Sequence, residues 1–250
     1  MKVSIITATY NSISSLASSM ESVLSQDYST IEYLIIDGNS KDNTIEMVKN
    51  YQIMFKHIKL VSEPDKGIYD ALNKGVTLAT GDVIGFVHSD DMLASKTIIS
   101  DLVKVFKSEH ASGVYGNLNY ISKTETTSVI RRWKSCKFSK TLLKKGWMPA
   151  HPTLFLRKEV YDKHGYFNLD YKIAADYDFM LRVLKDETLT FFYLPKVISQ
   201  MRVGGASNKS FKNILLKSKE DYKAIKNNKI GGFYTLLVKN TSKIKQFIGG

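Results

Sequence analysis

Residues Gly81 to Leu93 read GDVIGFVHSDDML, in which an apolar run of strand length leads directly into two adjacent carboxylates. The run from Asp82 to Val87 is bounded by glycine and polar residues, which is typical of a buried strand. In an open α/β sheet, ligands bind in the crevice at the carboxyl ends of the strands, so Asp90 and Asp91 can hold a divalent cation that binds phosphate. The alternative is a solvated turn that caps the next helix. The pair alone favours neither, because short acidic motifs often occur by chance.

The residues before this stretch alternate between strand and helix patterns. Helices are indicated from Asn11 or Ser12, from near Asp42, and from Ile68 to Ala79. The runs of strand type are Lys2–Thr9, Ile31–Asp37, Lys59–Ser62 and Asp82–Val87. Four strands that alternate with three helices over the first 87 residues predict a mostly parallel sheet with right-handed crossovers.

Acidic residues follow three of these predicted strands. Asp37 ends the second strand, Asp65 follows the third, and Asp90 and Asp91 follow the fourth, while Thr9 ends the first. One acid at a strand end is unremarkable, but carboxylates from three strands at one edge of a sheet predict a ligand site. The first strand–helix junction contains no G-x-G-x-x-G sequence, which argues against an NAD or FAD enzyme.

The second half of the chain has shorter patterns, and its tail is basic. Strand patterns occur at Gly113–Tyr120, Thr126–Trp133, Thr153–Leu156, Leu189–Leu194 and Val197–Met201. Helical patterns occur at Ser95–Glu109, within Lys134–Gly146, at Lys158–His164 and at Ala174–Lys185. Beyond Lys209, lysines alternate with apolar residues, which predicts two amphipathic helices.

The composition is that of a globular protein with a large basic excess. The formal net charge is +12, and the excess gathers in Arg131–Lys145 and beyond Lys209, which indicates local surface patches. No recognisable motif for reading nucleic acid accompanies this charge, so we expect no nucleic-acid partner. Cys136 is the only cysteine, so a reducing compartment is compatible. We expect the N-terminal residues to form the first strand rather than a secretory signal.

Seven stretches of the chain, in this order, resemble the family 2 inverting glycosyltransferases of the GT-A fold, especially the bacterial enzymes that build capsule, exopolysaccharide and lipopolysaccharide. The stretches are SIITATYN, IIDGNSKDNT, EPDKGIYDALNKGVTLATGD, GFVHSDD, HPTLFLRKEVYDKHGYF, ADYDFMLR and MRVGGAS. The resemblance implies an α/β fold with a Rossmann-like, mostly parallel central sheet flanked by helices. It implies a GT-A domain over residues 1–207, with a nucleotide-sugar-binding half (1–93) and an acceptor and catalytic half (94–207), followed by a basic amphipathic helical tail over 208–250.

The resemblance also implies a donor site. It places in contact with the nucleotide or its sugar the residues Thr7, Thr9, Asn11, Asp37, Asp65, Lys66 and Gly67, with the Asp37 carboxylate accepting a hydrogen bond from uracil. Asp90 and Asp91 match the acidic motif that carries Mn²⁺ or Mg²⁺ between the diphosphate oxygens, where a hard cation offsets the charge of the leaving group. His88 stands where the family often has the first aspartate of Asp-x-Asp-Asp. Asp91 is therefore expected to be the main metal ligand, with Asp90 contacting metal, sugar or ribose, and whether His88 ligates stays open.

On the acceptor side, Asp176 matches the general base of the family, which deprotonates the acceptor hydroxyl. Ala175 replaces the usual glutamate, so the choice between Asp176 and Asp178 stays open. Without the resemblance, the residues alone favour ordinary acids at a helix start, where the helix dipole stabilises them. The resemblance places His151 near the acceptor and sugar, although a lone histidine also fits a structural role. It places Arg202 and the turn 204–207 near the diphosphate.

These observations predict a metal-dependent inverting glycosyltransferase that moves a hexosyl or N-acetylhexosaminyl group from a UDP-sugar to a saccharide or lipid-linked saccharide. We expect it in the cytoplasm, with the tail either lying on the anionic inner face of the cytoplasmic membrane or packing on the domain with its lysines solvated. A sugar-nucleotide pyrophosphorylase is disfavoured because the glycine-rich basic N-terminal loop is absent. His88 and Ala175 keep open a catalytically silent scaffold.

Overall fold

The computed structural model describes residues 1–204 and 211–242, so most of the predicted turn 204–207 and the end of the tail lie outside the described residues. The strands are β1 (Val3–Thr9), β2 (Ile31–Asp37), β3 (Ile58–Ser62), β4 (Val83–Phe86), β5 (Asp91–Leu93), β6 (Gly113–Ile121), β7 (Val129–Trp133), β8 (Phe155–Arg157) and β9 (Phe191–Arg202). The helices are α1 (Leu16–Leu24), α2 (Thr44–Met54), α3 (Ile68–Leu78), α4 (Ile98–Ser108), α5 (Lys140–Lys144), α6 (Lys158–His164), α7 (Ala175–Leu184), α8 (Phe211–Asn227) and α9 (Phe233–Ser242).

The strands form one mixed sheet that runs through both halves of the chain. Its order is β3-β2-β1-β4-β8-β6-β9-β5, with β7 paired to β6. The first four strands of that order are parallel, as the alternating pattern predicts, and β6 and β9 are parallel as well. In this register Thr9 lies opposite Asp37, and Asp37 opposite Ser62. The carboxyl ends of β1, β2 and β3 are therefore level, and they form one rim.

The two faces of the sheet are covered by separate apolar layers, because successive strand residues point to opposite faces. Ile5 and Ile35 pack into one layer with residues of α1 and α4, whereas Ile6 and Ile36 pack into the other with residues of α3 and α7. Burial of each such side chain contributes roughly 1.5–3 kcal/mol. The core thus fixes the sheet from both sides and holds its crevice edge in place.

Several predicted boundaries are wrong. The first helix begins at Leu16 and not at Asn11 or Ser12, because the chain first makes a turn in which the Ser12 carbonyl accepts from the Ser15 and Leu16 amides. The fourth helix begins at Ile98, with Thr97 rather than Ser95 at its N-cap. Asp91 follows the central strand, as predicted, but it also begins a short strand that was not predicted, β5, which pairs with β9.

The two late strands predicted from Leu189 to Met201 are one continuous strand, β9. Its register against β6 shifts between Tyr193 and Val197, where Pro195 has no backbone N–H to donate to the sheet. A Cβ atom added at Gly116 would lie 2.7 Å from the Lys196 carbonyl oxygen. β9 therefore bulges at Pro195, where its backbone lies close to Gly116 of β6, and then pairs with β6 again.

Helices α8 and α9 pack on the rest of the protein. Ala224 and Ile225 of α8 are buried in the same apolar layer as the side chains of α7. Lys239 of α9 forms an ion pair with Asp221 of α8 at 2.6 Å, and its Nζ lies 3.2 Å from the centre of the Tyr177 ring. The packing predicted as one of two interpretations of the tail is therefore present. Among the described residues, no helix is long and apolar enough to span a membrane.

Candidate active site

The stretch from Gly81 to Leu93 leaves the sheet directly after β4, and buried hydrogen bonds hold the chain at this point. The Thr7 hydroxyl donates to the Val87 carbonyl oxygen at 2.6 Å and lies 3.1 Å from the Tyr33 hydroxyl. The Ser19 hydroxyl donates to the His88 carbonyl oxygen at 2.8 Å. Thr7 is fully buried, so its side chain shapes the junction and does not reach the crevice surface.

The next residues form a tight turn that Arg202 holds. The Asp91 amide donates to the His88 carbonyl oxygen at 2.9 Å, which turns the chain into β5. The Arg202 guanidinium donates to the Asp90 carbonyl oxygen at 2.7 Å and to the Ser18 hydroxyl at 2.8 Å. Arg202 therefore binds the backbone of the acidic turn, at a point where we predicted contact with a diphosphate.

Asp91 is the least solvated acid of this turn. It is 1% exposed, and neither carboxylate oxygen has a hydrogen-bond partner among the described residues. Burial, with the nearby charge of Asp90, raises the pKa of Asp91 well above its ordinary value, and Arg202 opposes the change. The alternative of a solvated turn is therefore wrong for Asp91.

A buried carboxylate without a partner is costly unless it takes up a proton or a cation. Its oxygens suit a hard cation such as Mn²⁺ or Mg²⁺. Among residues 1–204 and 211–242, no group of three or more His, Cys, Asp or Glu side chains is arranged to hold a metal alone. The buried, unpartnered oxygens of Asp91 fit one or two ligand positions of such a cation.

Two imidazole rings lie beside the acidic turn. The ring centres of His88 and His151 are 5.8 Å apart, and His151 packs on Phe86 at 5.2 Å and on Phe167 at 5.5 Å. Burial lowers the pKa of His88, and it lowers that of His151 to about 4, while the charge of Asp176 opposes both shifts. Nδ1 of His88 and Nε2 of His151 are buried without a described partner. Both rings are therefore neutral and keep a nitrogen free for a ligand.

The rim formed by β1 and β2 carries the predicted nucleotide residues. The Asp37 carboxylate is 1% exposed and accepts from the Ser40 hydroxyl at 2.5 Å, the Ser40 amide at 2.9 Å and the Ser62 hydroxyl at 2.7 Å. The Thr9 hydroxyl is buried without a described partner. Asn11 is exposed in a left-handed conformation (φ 48°), and its side-chain oxygen accepts from the Lys41 amide at 2.7 Å.

The loop after β3 completes this rim. A Cβ atom added at Gly38 would lie 2.5 Å from an Asp65 carboxylate oxygen, so only glycine allows Asp65 to approach the end of β2. The other Asp65 oxygen accepts from the Gly67 amide at 2.8 Å, and Gly67 has φ +116° at the start of α3. Lys66 is exposed beside them. Asp37 and Asp65 thus lie on the same side of the crevice, as their strand positions predict.

The two acids of α7 have different surroundings. Asp176 is half-buried, and its Oδ1 lies 3.2 Å from the Tyr69 hydroxyl. Asp178 is 5% exposed and accepts from Arg182 at 3.1 Å and from Asn228 at 2.9 Å. The charge of Asp176 raises the pKa values of His88 and His151 against the effect of burial. Asp178 instead forms an ion pair with Arg182 within the fold.

Sequence reasoning misses Tyr69, because a tyrosine in the first turn of an amphipathic helix looks like ordinary packing. Its hydroxyl lies 2.6 Å from the Ile173 carbonyl oxygen, 104 positions along the chain, and no local pattern signals such a contact. Trp147 has a flat apolar ring that could stack on a sugar, but it stacks on Phe138 and meets Tyr115 edge-on, so packing accounts for its position.

Four parallel strands with acidic residues at their carboxyl ends, extended by a mixed second half, form the architecture of the GT-A fold. The chain belongs to glycosyl transferase family 2, whose sequence model matches residues 4–165. The prediction of this family and of a transferase is therefore confirmed, and inversion is general for the family. Membership of a glycosyltransferase family argues against the pyrophosphorylase alternative.

The named relatives include glycosyltransferases of mycobacteria. A PGL/p-HBAD biosynthesis glycosyltransferase of Mycobacterium bovis is 30% identical over 209 residues, which are 82% of this chain and 78% of the relative. An uncharacterized glycosyltransferase of Mycobacterium tuberculosis is 32% identical over 183 residues, 72% of this chain and 68% of the relative.

Solved structures show the same fold at lower identity. Staphylococcus aureus TarS 1–349 in complex with UDP-GlcNAc has a TM-score of 0.70 and 18% identity over 91% of this chain, and the match spans 65% of the TarS chain. The mannosyltransferase PcManGT of Pyrobaculum calidifontis, in complex with GDP-Man and Mn²⁺, has a TM-score of 0.66 and 16% identity, covering 100% of this chain and 76% of that one. The predicted GT-A fold is confirmed.

Proposed function

We propose that this transferase moves a hexosyl or N-acetylhexosaminyl group from a UDP-sugar to a saccharide or lipid-linked saccharide in the synthesis of a bacterial surface polysaccharide. The observation that carries the proposal is Asp91, a buried carboxylate whose two oxygens have no described partner at the end of the central strand. Such a group suits a nucleoside diphosphate bound together with a cation. The nucleotide-sugar complexes of TarS and PcManGT support the donor class, and their different bases leave the choice of uridine to experiment.

The donor is proposed to bind in residues 1–93, along the rim at the ends of β1 to β3. Its contacts are assigned to Thr9, Asn11, Asp37, Asp65, Lys66 and Gly67, which line that rim. The Asp37 carboxylate has lone pairs beyond those used by Ser40 and Ser62, so it can still accept from a uracil N–H. Thr7 and Arg202 are assigned an indirect role, because their side chains hold Val87 and Asp90.

Asp91 and Asp90 are the residues proposed to hold Mn²⁺ or Mg²⁺. The cation supplies positive charge at the diphosphate oxygens, which stabilises the leaving nucleoside diphosphate. The buried, unpartnered oxygens of Asp91 support this assignment. His88 adds a neutral nitrogen beside the same site, without an assigned ligand role.

Residues 94–207 are proposed to bind the acceptor, and Asp176 is proposed as the general base. The Tyr69 hydroxyl lies 3.2 Å from Oδ1 of Asp176, and Oδ2 is proposed to take the proton of the acceptor hydroxyl. The acceptor oxygen bonds to the anomeric carbon from the face opposite the diphosphate, and the bond between that carbon and the diphosphate oxygen breaks. His151, a neutral ring between Phe86 and His88, is proposed to contact the sugar.

The tail, residues 208–250, is proposed to bring the enzyme to the inner face of the cytoplasmic membrane. Support comes from apolar side chains that stay exposed although α8 and α9 pack on the domain: Ile214, Leu215, Phe233, Tyr234 and Leu237. Exposed lysines of α8, among them Lys219, Lys223 and Lys226, supply attraction for anionic lipid. This location suits a lipid-linked acceptor.

The test is thermal stabilisation by UDP, GDP and dTDP, each with and without Mn²⁺. A ligand that binds only the folded state raises Tm by mass action, so one nucleotide should raise Tm with Mn²⁺ present and do so much less without it. Asp91→Asn should lose this stabilisation. Asp101→Asn, which removes a carboxylate paired with Lys196 outside the crevice, should retain it. No stabilisation of the wild type by any nucleotide would contradict the proposal.

A further inference from the structure

Glu220 of α8 binds the backbone that leads into α7. Its Oε1 accepts from the Lys172 amide at 2.9 Å, and its Oε2 accepts from the Ile173 amide at 2.8 Å and the Ala174 amide at 3.0 Å. Glu220 is 7% exposed. Three successive backbone N–H groups that converge on one buried carboxylate form an anion-binding nest, here filled by the chain itself.

The start of α7 needs such a partner because its own residues do not supply one. The N-cap residue is Ala174, which has no side-chain oxygen and makes no capping hydrogen bond. A carboxylate near a helix N-terminus is favourable, since it meets unpaired N–H groups and the positive end of the helix dipole. Glu220 provides this charge from another helix. It acts at Ala174, which lies two residues before Asp176 in the chain.

Ile173 is also held through its carbonyl group, by Tyr69, the residue that lies beside Asp176. The amide of Ile173 donates to Glu220, and its carbonyl oxygen lies 2.6 Å from the Tyr69 hydroxyl, which also lies 3.2 Å from Oδ1 of Asp176. A second contact from α8 fixes the start of this loop, where the Asn227 side chain donates to the Tyr171 hydroxyl at 3.2 Å. The loop therefore has little freedom while α8 is in place.

We propose that Glu220 is a positioning residue that sets the place of Asp176 in the crevice by holding the 172–174 backbone. The inference rests on the proposed function of Asp176 as base, and Glu220 itself does not touch the substrate. A displacement of about 1 Å at a reacting group can cost on the order of 10²-fold in rate. Glu220 lies beyond residues 4–165, which the family model matches, so the base of this enzyme depends on a helix outside that match.

The first test compares Glu220→Ala and Glu220→Gln with Asn228→Ala in the full chain. Asn228 is a matched control, because it lies directly after α8 and makes a buried hydrogen bond to Asp178 of α7, but does not contact the 172–174 backbone. Hydrogen exchange at the amides of 172–174 should become faster in Glu220→Ala and stay unchanged in Asn228→Ala. Unchanged exchange in Glu220→Ala would overturn the inference.

The second test measures nucleotide release from UDP-glucose and UDP-GlcNAc with Mn²⁺, with water as acceptor. We expect Glu220→Ala to lower kcat by roughly 10–100-fold with KM for the donor within about twofold, because the donor site is untouched. Glu220→Gln should lose less, since the amide oxygen can still accept from Ile173 and Ala174. Asn228→Ala should lower Tm but keep kcat. If Asn228→Ala lost as much kcat as Glu220→Ala, Glu220 would contribute only to the general stability of the fold.

A double variant separates this inference from the proposed function. If Glu220 acts through Asp176, adding Glu220→Ala to Asp176→Asn should lower kcat no further, whereas an additive loss would overturn the positioning role. If Asp176→Asn alone keeps the wild-type kcat, the base assignment of the proposed function fails. If Asp176→Asn loses kcat but Glu220→Ala does not, only the present inference fails.

Discussion

At the residue scale, the two acids at the start of α7 look alike in the sequence but differ in their surroundings. Asp176 is half-buried beside Tyr69, and Asp178 is buried against Arg182 and Asn228. We expect Asp176→Asn to lower kcat by about 10²–10⁴-fold, because an amide cannot take the acceptor proton. Stabilisation by UDP with Mn²⁺ should be retained. Steady-state nucleotide release and thermal shifts measure the two effects.

Asp178→Asn serves as the control for that prediction. It removes one charge from a buried ion pair while keeping an oxygen for Asn228, and we expect a loss of stability of about 1–3 kcal/mol. The kcat of the folded variant should stay near that of the wild type. The assignment of the base would move to Asp178 if this variant lost kcat while Asp176→Asn did not.

The positions of these residues along the chain could be predicted, but most of their partners could not. Asp37 and Asp65 follow strands, so the sequence indicates which edge of the sheet they share. Arg202 shows the limit, because it binds the Asp90 carbonyl oxygen from 112 positions away and thereby holds the acidic turn. Such contacts depend on the register of distant strands, which leaves no trace in local residue patterns.

At the element scale, one buried carboxylate ties together the amino-terminal ends of the first strands. Glu32 of β2 accepts from Ser4 of β1 at 2.6 Å, from Lys59 of β3 at 2.7 Å and from the amide of Thr80 at 2.8 Å. Burial alone would raise the pKa of Glu32, but the hydrogen bonds from Lys59, Ser4 and Thr80 outweigh it and hold the pKa well below the ordinary value.

This contact predicts a pH-dependent stability. Because the folded pKa is lowered, the unfolded chain binds the proton more readily, so Glu32 stabilises the fold fully above its unfolded pKa of about 4.3 and progressively less as pH falls below it. We expect Glu32→Gln to cost about 1–3 kcal/mol at pH 7, with a smaller difference from the wild type at pH 3.5. Urea unfolding at both pH values measures it. Glu46→Gln, at an exposed position of α2, should change little, and a difference for Glu32→Gln that grew at low pH would contradict the prediction.

Elements with strong local patterns could be predicted from the sequence, and those that form by pairing could not. The first four strands have apolar runs bounded by turn residues, and each appears within a residue or two of its expected place. β5 has only the residues Asp91 to Leu93, and it exists because β9 pairs with it about a hundred residues later. This pairing buries Asp91, so the strongest feature of the candidate site depends on an element without a local signal.

At the scale of the whole molecule, the tail has two surfaces with different roles. One surface packs on α7 through Ala224, Ile225 and the Lys239–Asp221 ion pair. The other surface leaves Phe233 and Tyr234 of α9 66% and 76% exposed, and α8 carries exposed lysines. The two interpretations of the basic pattern are therefore compatible, because the helices can pack on the domain and still present apolar and cationic groups outward.

We expect the full chain to bind vesicles that contain anionic phosphatidylglycerol and to bind phosphatidylcholine vesicles much less. Attraction between lysines and anionic lipid is screened by salt, so binding should weaken at high ionic strength.

Phe233→Ser with Tyr234→Ser should lower the vesicle-bound fraction, since insertion of each large apolar side chain contributes up to roughly 1.5–3 kcal/mol. Ile53→Ser with Met54→Ser is the matched control, because this neighbouring pair on α2 is equally exposed, at 68% and 69%, but lies outside the tail. Vesicle co-sedimentation measures the bound fraction, and equal losses in the two double variants, or binding without anionic lipid, would contradict a membrane-facing role for α9.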